Sequence, residues 1–160
     1  MLKFIDKRYH IDCFQLLDVY DDDIKKNSSN LGWENRFRAV EKFRENLDCF
    51  FLLKNATYAV WISGGRYIAA LRVEPYRDGY LITGLETAPD ARRKGYATKL
   101  LQGVIAHLKD EGKVPVYSHV DKGNHASMAV HKKCGFQILY DYGVYLDGSV
   151  FQTSYTLVIY

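Results

Sequence analysis

Residues 89–101 read PDARRKGYATKLL. Pro89 ends whatever precedes it. Three cations, Arg92, Arg93 and Lys94, lead into Gly95, and a helical period starts at Tyr96. Ala97, Leu100, Leu101, Val104 and Leu108 then fall on one face. The first amides of a helix have no internal acceptor, and that end of the helix is electropositive. Cations crowded before it are unfavourable unless an anion compensates them. Gly95 lets backbone approach a ligand closely, and Ala97 is small. The stretch therefore reads as a turn for a multiply charged anion such as a phosphate. A merely solvated basic loop is the competing reading. Neither the GxxxxGK[ST] loop of nucleoside triphosphatases nor a GxGxxG dinucleotide fingerprint is present.

Outward from this turn the pattern changes twice. Before residue 50 it is helical. HIDCFQLLDVYDDDIKK carries Ile11, Phe14, Leu17 and Ile24 near helical spacing, NSSNLG is a break, and WENRFRAVEKFRENLDCF places Trp33, Phe37, Val40, Phe43 and Leu47 on one stripe. TYAVWIS and RYIAALRV are strands joined at Gly64-Gly65, PYRDG is a turn, and YLITGLET is a third strand of an antiparallel meander. After the basic turn come a helix ending near Gly112, the strand PVYSHV, and the helix NHASMAVHKKC between the N-cap Asn124 and Gly135. FQILYDYGVYL and SVFQTSYTLVIY, joined at Asp147-Gly148, form a closing hairpin. The expected fold is one α/β domain over 1–160. Its sheet is mixed, mostly antiparallel, with helices on both faces and one parallel pair from the strand–helix–strand step.

The 160 residues, net charge of +3 and 26% charged residues suit a soluble globular domain and make no case for a nucleic-acid binder. The scattered cations and the Asp21-Asp22-Asp23 run also oppose a continuous basic surface. Cys13, Cys49 and Cys134 are widely spaced and odd in number, which reads as reduced thiols in a cytoplasmic protein. No signal peptide or membrane span is visible. His119 and His125 lack partners at ligand spacing, so no metal site is expected. The thirteen tyrosines as a group carry no functional reading.

Two segments together resemble the GNAT superfamily of N-acetyltransferases. Arg92-Arg93-Lys94-Gly95-Tyr96-Ala97 looks like the family's (R/Q)xxGx(G/A) pyrophosphate loop, and Asn124 to Phe136 resembles its NxxAxxxYxxxGF segment. The likeness covers residues 55–158 as a cofactor-binding core, with 1–50 as the family's variable helical front end. It implies acetyl-CoA as co-substrate, direct attack by an amine in a ternary complex, and a small-molecule or peptide amine as acceptor. It also implies fourth and fifth strands that splay apart. Pantetheine would lie along the backbone near Leu85 and Thr87, and the pyrophosphate on the amides around Arg93, Lys94, Gly95, Tyr96, Ala97 and Thr98. Arg92, Asn124 and Ser127 complete the expected cofactor set. A GNAT-like module that binds an acyl-CoA as a sensor or interaction protein remains the alternative, and a homodimer through the last strand is left open.

Acetyl transfer to an amine needs a base for the ammonium, stabilisation of the oxyanion, and a proton for the leaving thiolate. Where the family has tyrosine this chain has His131, the expected acid; packing or surface exposure is its ordinary reading. Tyr117, Tyr140, Tyr142 and Tyr145 are alternative phenols. Glu86, two residues after Gly84, is the candidate base, with a structural pairing to Arg72 as the plain alternative; His119 is a weaker base. Acceptor choice would fall to the front helices, Pro75 to Asp78 and the closing hairpin, with Asp18 and Asp21 to Asp23 as attractors of a cationic amine.

Overall fold

The computed structural model describes residues 1–28 and 32–160, the side chains of 32–34 excepted. The chain runs β1 (Leu2–Ile5), α1 (Cys13–Val19), α2 (Asp21–Ser28), α3 (Gly32–Phe50), β2 (Thr57–Ser63), β3 (Arg66–Tyr76), β4 (Gly79–Thr87), α4 (Tyr96–Asp110), β5 (Val116–Asp121), α5 (His125–Lys133), β6 (Gln137–Tyr140), β7 (Gly143–Val144), β8 (Val150–Phe151) and β9 (Ser154–Ile159). Among the described residues the strands make a seven-stranded sheet, β1-β2-β3-β4-β5-β9-β6, and a ribbon, β7-β8. Only β4 and β5 pair in parallel, as a crossover through α4 requires. The fold is the expected mixed α/β sheet with helices on both faces.

Strand alternation divides the core. Ala59, Leu71 and Val73 face one side, where α4 packs Leu100, Leu101 and Val104, all fully buried. Burying each such side chain contributes about 1.5–3 kcal/mol. Tyr58, Val60 and Ala70 face the other side, against Leu16, Val19, Ile24 and Leu47 of α1 to α3. We call that side the front.

Three local expectations are corrected, and a fourth, the closing hairpin, is met. Leu2–Ile5 is an edge strand on β2, which the sequence reading left unassigned. The single helix expected over residues 10–26 is two. Asp12 caps α1 by accepting from the Gln15 amide at 3.1 Å, and its second oxygen takes Gln15 Nε2 at 3.0 Å. The chain then turns at Tyr20, and three aspartates open α2, where the helix dipole favours them. The meander turn narrows to Arg77-Asp78, because β3 extends to Tyr76 and β4 starts at Gly79. The closing hairpin is present: β6 pairs with β9, and β7-β8 forms its tip. The expected break at 27–32 falls mostly on 29–31, outside the described residues, as does the Trp33 side chain.

Candidate active site

The site begins where a strand pair ends. β4 and β5 are in register only at Tyr80/Val116, Leu81/Tyr117 and Ile82/Ser118. Both strands continue, to Thr87 and Asp121, but apart. On the other side of β4, Arg72 pairs with Thr83 and Ala70 with Glu86, so three steps of β4 oppose two of β3. This is a β-bulge, and its pivot is Gly84, with φ +61°. Bulges bend the strand that carries them, so this one turns β4 away from β5. The Tyr20 phenol donates to the Gly84 carbonyl at 2.5 Å, tying the α1–α2 turn to the bulge.

The carboxyl ends of a parallel pair are where an open α/β sheet receives ligands, and β4 runs from there into α4. Gly95 caps α4 with φ +80°, without any side-chain cap. The first intrahelical bond is from the Lys99 amide to Gly95 O at 3.0 Å. The amides of Tyr96, Ala97 and Thr98 have no backbone acceptor among the described residues. Arg93, exposed, is also left-handed, at φ +59°. That conformation costs a non-glycine residue about 1–2 kcal/mol, and such strain concentrates at ligand sites. A Cβ built on Gly95 meets nothing within 4 Å, so the space above it is open.

The three cations differ. Arg92 holds Asp22 in a close ion pair, reaches Glu86 at 3.7 Å, and donates from Nε to Thr87 O at 3.3 Å. Lys94 donates to Asp90 O at 3.2 Å. Arg93 makes no hydrogen bond or ion pair among the described residues.

Leu85, Glu86, Asn124, Ser127 and His131 come together around a cavity of about 160 Å³ in the parting, with Ser118 and His119. Asn124 is the N-cap of α5, accepting from the Ser127 amide at 3.0 Å. His131 is only 2% exposed. Its Nδ1 lies 2.8 Å from Ser127 O, a carbonyl that can only accept, so Nδ1 carries the proton. Nε2 lies 2.9 Å from Ser118 Oγ. Burial lowers the imidazole pKa against the opposing pull of Ser127 O, which favours the neutral ring, and Nε2 faces a Ser118 hydroxyl whose single proton also has Ile82 O as an acceptor at 3.2 Å. Glu86 is half-buried on the front face. Burial first, then the negative Asp23, raise its pKa, and Arg92 opposes them. Its arginine partner is thus Arg92 and not Arg72.

Two chambers flank the bulge on the front. One, of about 780 Å³, lies between α2, α3 and the sheet; Tyr20, Asp23, Arg38, Lys42, Tyr58 and Arg72 are among its walls. The other, about 740 Å³, lies between β3 to β5 and the β7–β8 tip, with Glu74, Tyr76, Thr83, His119 and Tyr145. Tyr145 alone of the four candidate phenols lines either chamber or the cavity. Tyr117 donates to Asp78 at 2.6 Å, and burial pushes its pKa up to about 12. Tyr140 and Tyr142 stack on each other. The acidic attractors are largely engaged: Asp21 binds Lys25 and Arg36, and Asp22 binds Arg92. Tyr20, Arg72 and Ser118 entered the sequence reading, if at all, only as neighbours. Gly84, a glycine inside a strand, was the available signal for the bulge that gathers them.

The chain belongs to the acetyltransferase (GNAT) family, whose model matches residues 18–136. Among solved structures it is similar to the PaiA N-acetyltransferase of Thermoplasma acidophilum in complex with coenzyme A. That match has TM-score 0.71 and 13% identity, covering 99% of this chain and 98% of that one. It is also similar to an IAA acetyltransferase from Bacillus cereus, with TM-score 0.66 and 18% identity over 99% and 97% of the two chains. The ribosomal-protein-S18-alanine N-acetyltransferase of Escherichia coli matches with TM-score 0.63 and 17% identity over 99% and 93%. No curated protein matches the chain in sequence. No helix among the described residues is long and apolar enough to cross a membrane.

Proposed function

We propose that this protein transfers the acetyl group of acetyl-CoA to an amine, in a ternary complex. The observation that carries the proposal is the parting of β4 and β5 after Ile82 and Ser118, which leads to three unbonded amides at the start of α4. The residues fit the cofactor. Tyr96, Ala97 and Thr98 offer amides to the pyrophosphate, and Gly95 leaves the approach open. Arg93 and Lys94 supply charge at the rim. Leu85, Thr87, Asn124 and Ser127 border the pantetheine's path, with Arg92 at its outer end. The coenzyme A complex of the Thermoplasma structure supports this reading.

In the reaction the amine nitrogen bonds to the acetyl carbon, the carbon–sulfur bond breaks, nitrogen loses a proton and sulfur gains one. Glu86 is our candidate base. A half-buried carboxylate with a raised pKa is a better proton acceptor than a solvated one. His131 is our candidate on the thiol side, acting through Ser118. Nδ1 is committed to Ser127 O, so His131 could give a proton only after Nε2 has taken one from solvent, and Ser118 Oγ would pass it to sulfur while receiving that proton in turn. Much of the rate would come from holding the two reactants together.

The test is thiol release from acetyl-CoA with a panel of amines, alongside calorimetric titration of acetyl-CoA alone. Saturable binding and amine-dependent release are expected. Binding without transfer to any amine would favour an acyl-CoA sensor, and no binding would end the proposal.

A further inference from the structure

A cation with no counter-ion among the described residues stands at the floor of the larger front chamber. Arg72, on β3, is mostly withdrawn from water, and its Nε is fully buried with no hydrogen-bond partner. Among the described residues it forms no ion pair. The contrast with the surface is direct: Arg8, Arg36, Arg44, Arg66 and Arg92 all have carboxylate partners, although each is well exposed. Pairing matters least for a solvated charge and most for a buried one. Arg38, Arg77 and Arg93 also lack an ion pair among the described residues, but all three are exposed; Arg72 is unpaired and largely buried. Glu74, two residues on and on the same face, feels its charge without reaching ion-pair distance.

The chamber above Arg72 is itself electropositive. Arg38 and Lys42 line its α3 wall, and Asp23 opposes them. The other aspartates of the run are turned to cations outside it. A purely cationic amine would enter this chamber against its field. An amine that also carries an anion would not.

We propose that the acceptor is a free amino acid, or a small amine of amino-acid type, whose carboxylate is received by Arg72. The inference rests on the acetyl-transfer reading and names its substrate class. The sheet register gives the spacing. Ala70 pairs with Glu86, and Arg72 is the next front-facing position of β3. Such positions lie about 7 Å apart. Gly84 borders both this chamber and the cavity that Glu86 lines, so a carboxylate on Arg72 leaves the amine of the same small molecule directed toward Glu86. The guanidinium suits the task because its planar donors match a carboxylate.

The experiment compares the common amino acids with the amines formed by their decarboxylation, in the thiol-release assay on the whole protein. At least one amino acid is expected to exceed its decarboxylated partner in kcat/KM by on the order of 100-fold, because a site built for a carboxylate rejects the analogue lacking it. Arg72→Gln should raise KM for that amino acid by a comparable factor and leave kcat/KM for the bare amine unchanged or higher, because it removes a charge that repels that amine. Arg72→Lys should recover part of the difference, which also guards against a folding defect in the first variant. The acetyl-CoA-induced rise in melting temperature should persist in both variants. The proposal is overturned if no amino acid is acetylated, if bare amines match or exceed their amino acids, or if Arg72→Gln depresses both classes alike. Absence of the acetyl-CoA-induced rise in the unmodified protein would instead overturn the acetyl-transfer reading.

Discussion

Tyr20, at the turn between α1 and α2, and Gly84, at the pivot of β4, are joined by a 2.5 Å hydrogen bond across 64 residues of chain. The phenol is 5% exposed, and burial holds its pKa well above the usual tyrosine value, so it donates at any physiological pH. Tyr20→Phe leaves the Gly84 carbonyl without this donor. The expected loss is about 1–3 kcal/mol of stability, with a higher KM for the acceptor. Denaturant unfolding and steady-state kinetics check it; unchanged values of both would show that the bulge holds its shape unaided.

Gly95→Val should weaken acetyl-CoA binding far more than it weakens the fold. The left-handed φ of +80° resists a β-branched residue, and the side chain would project into the open space above the α4 amides. Calorimetry on the folded variant measures this. Equal affinity in variant and parent would place the phosphates elsewhere.

Glu86→Gln should lower kcat by about 100-fold or more, the usual contribution of a positioned base. Its stability should be unchanged or higher at neutral pH. A carboxyl whose folded pKa is raised is stabilised in its protonated form, so ionisation above that pKa costs stability that glutamine does not lose. In the unmodified protein the rate should fall on the acid side as Glu86 takes up its proton. Full turnover in the glutamine variant would remove Glu86 from the chemistry.

His131 predicts the opposite dependence of stability on pH. Its folded pKa lies below the ordinary histidine value because burial disfavours the cation. The unfolded chain then binds the proton first as pH falls. The stability is present above about pH 6.5 and lost progressively from there down to the folded pKa. Melting temperatures from pH 8 to 5 should show the drop, and His131→Asn should flatten it. If His131 acts through Ser118, His131→Ala and Ser118→Ala should lower kcat by similar factors, and the double variant by no more than either. Additive losses would separate the two residues.

Much of this was legible in the sequence, and for identifiable reasons. The basic turn, Gly95 and the α4 period are local signals, since each needs only the residues beside it. Asn124, Ser127 and His131 share a helix face by spacing alone. The edge strand Leu2–Ile5 was not legible, because its four residues become a strand only by pairing with Thr57–Ser63. Arg72 was hidden for the same reason. Nothing in RYIAALRV says that its arginine will be buried without a partner; that follows from the bulge opposite and from helices far away in the chain. Glu86 was singled out from its place two residues after Gly84, but its partner depends on where the turn after β4 leads Arg92.

Arg92 is a shared counter-ion. It neutralises Asp22 on α2 and lies 3.7 Å from Glu86 on β4, while belonging to the loop we propose for the phosphates. An anion that draws this guanidinium toward itself removes positive charge from beside Glu86, whose proton affinity must then rise. By linkage, filling the loop and protonating Glu86 favour each other. Acetyl-CoA binding should therefore take up protons from solution near the Glu86 pKa, a signal that titration calorimetry reads by repeating the experiment in buffers of different ionisation enthalpy. Glu86→Gln should abolish the uptake.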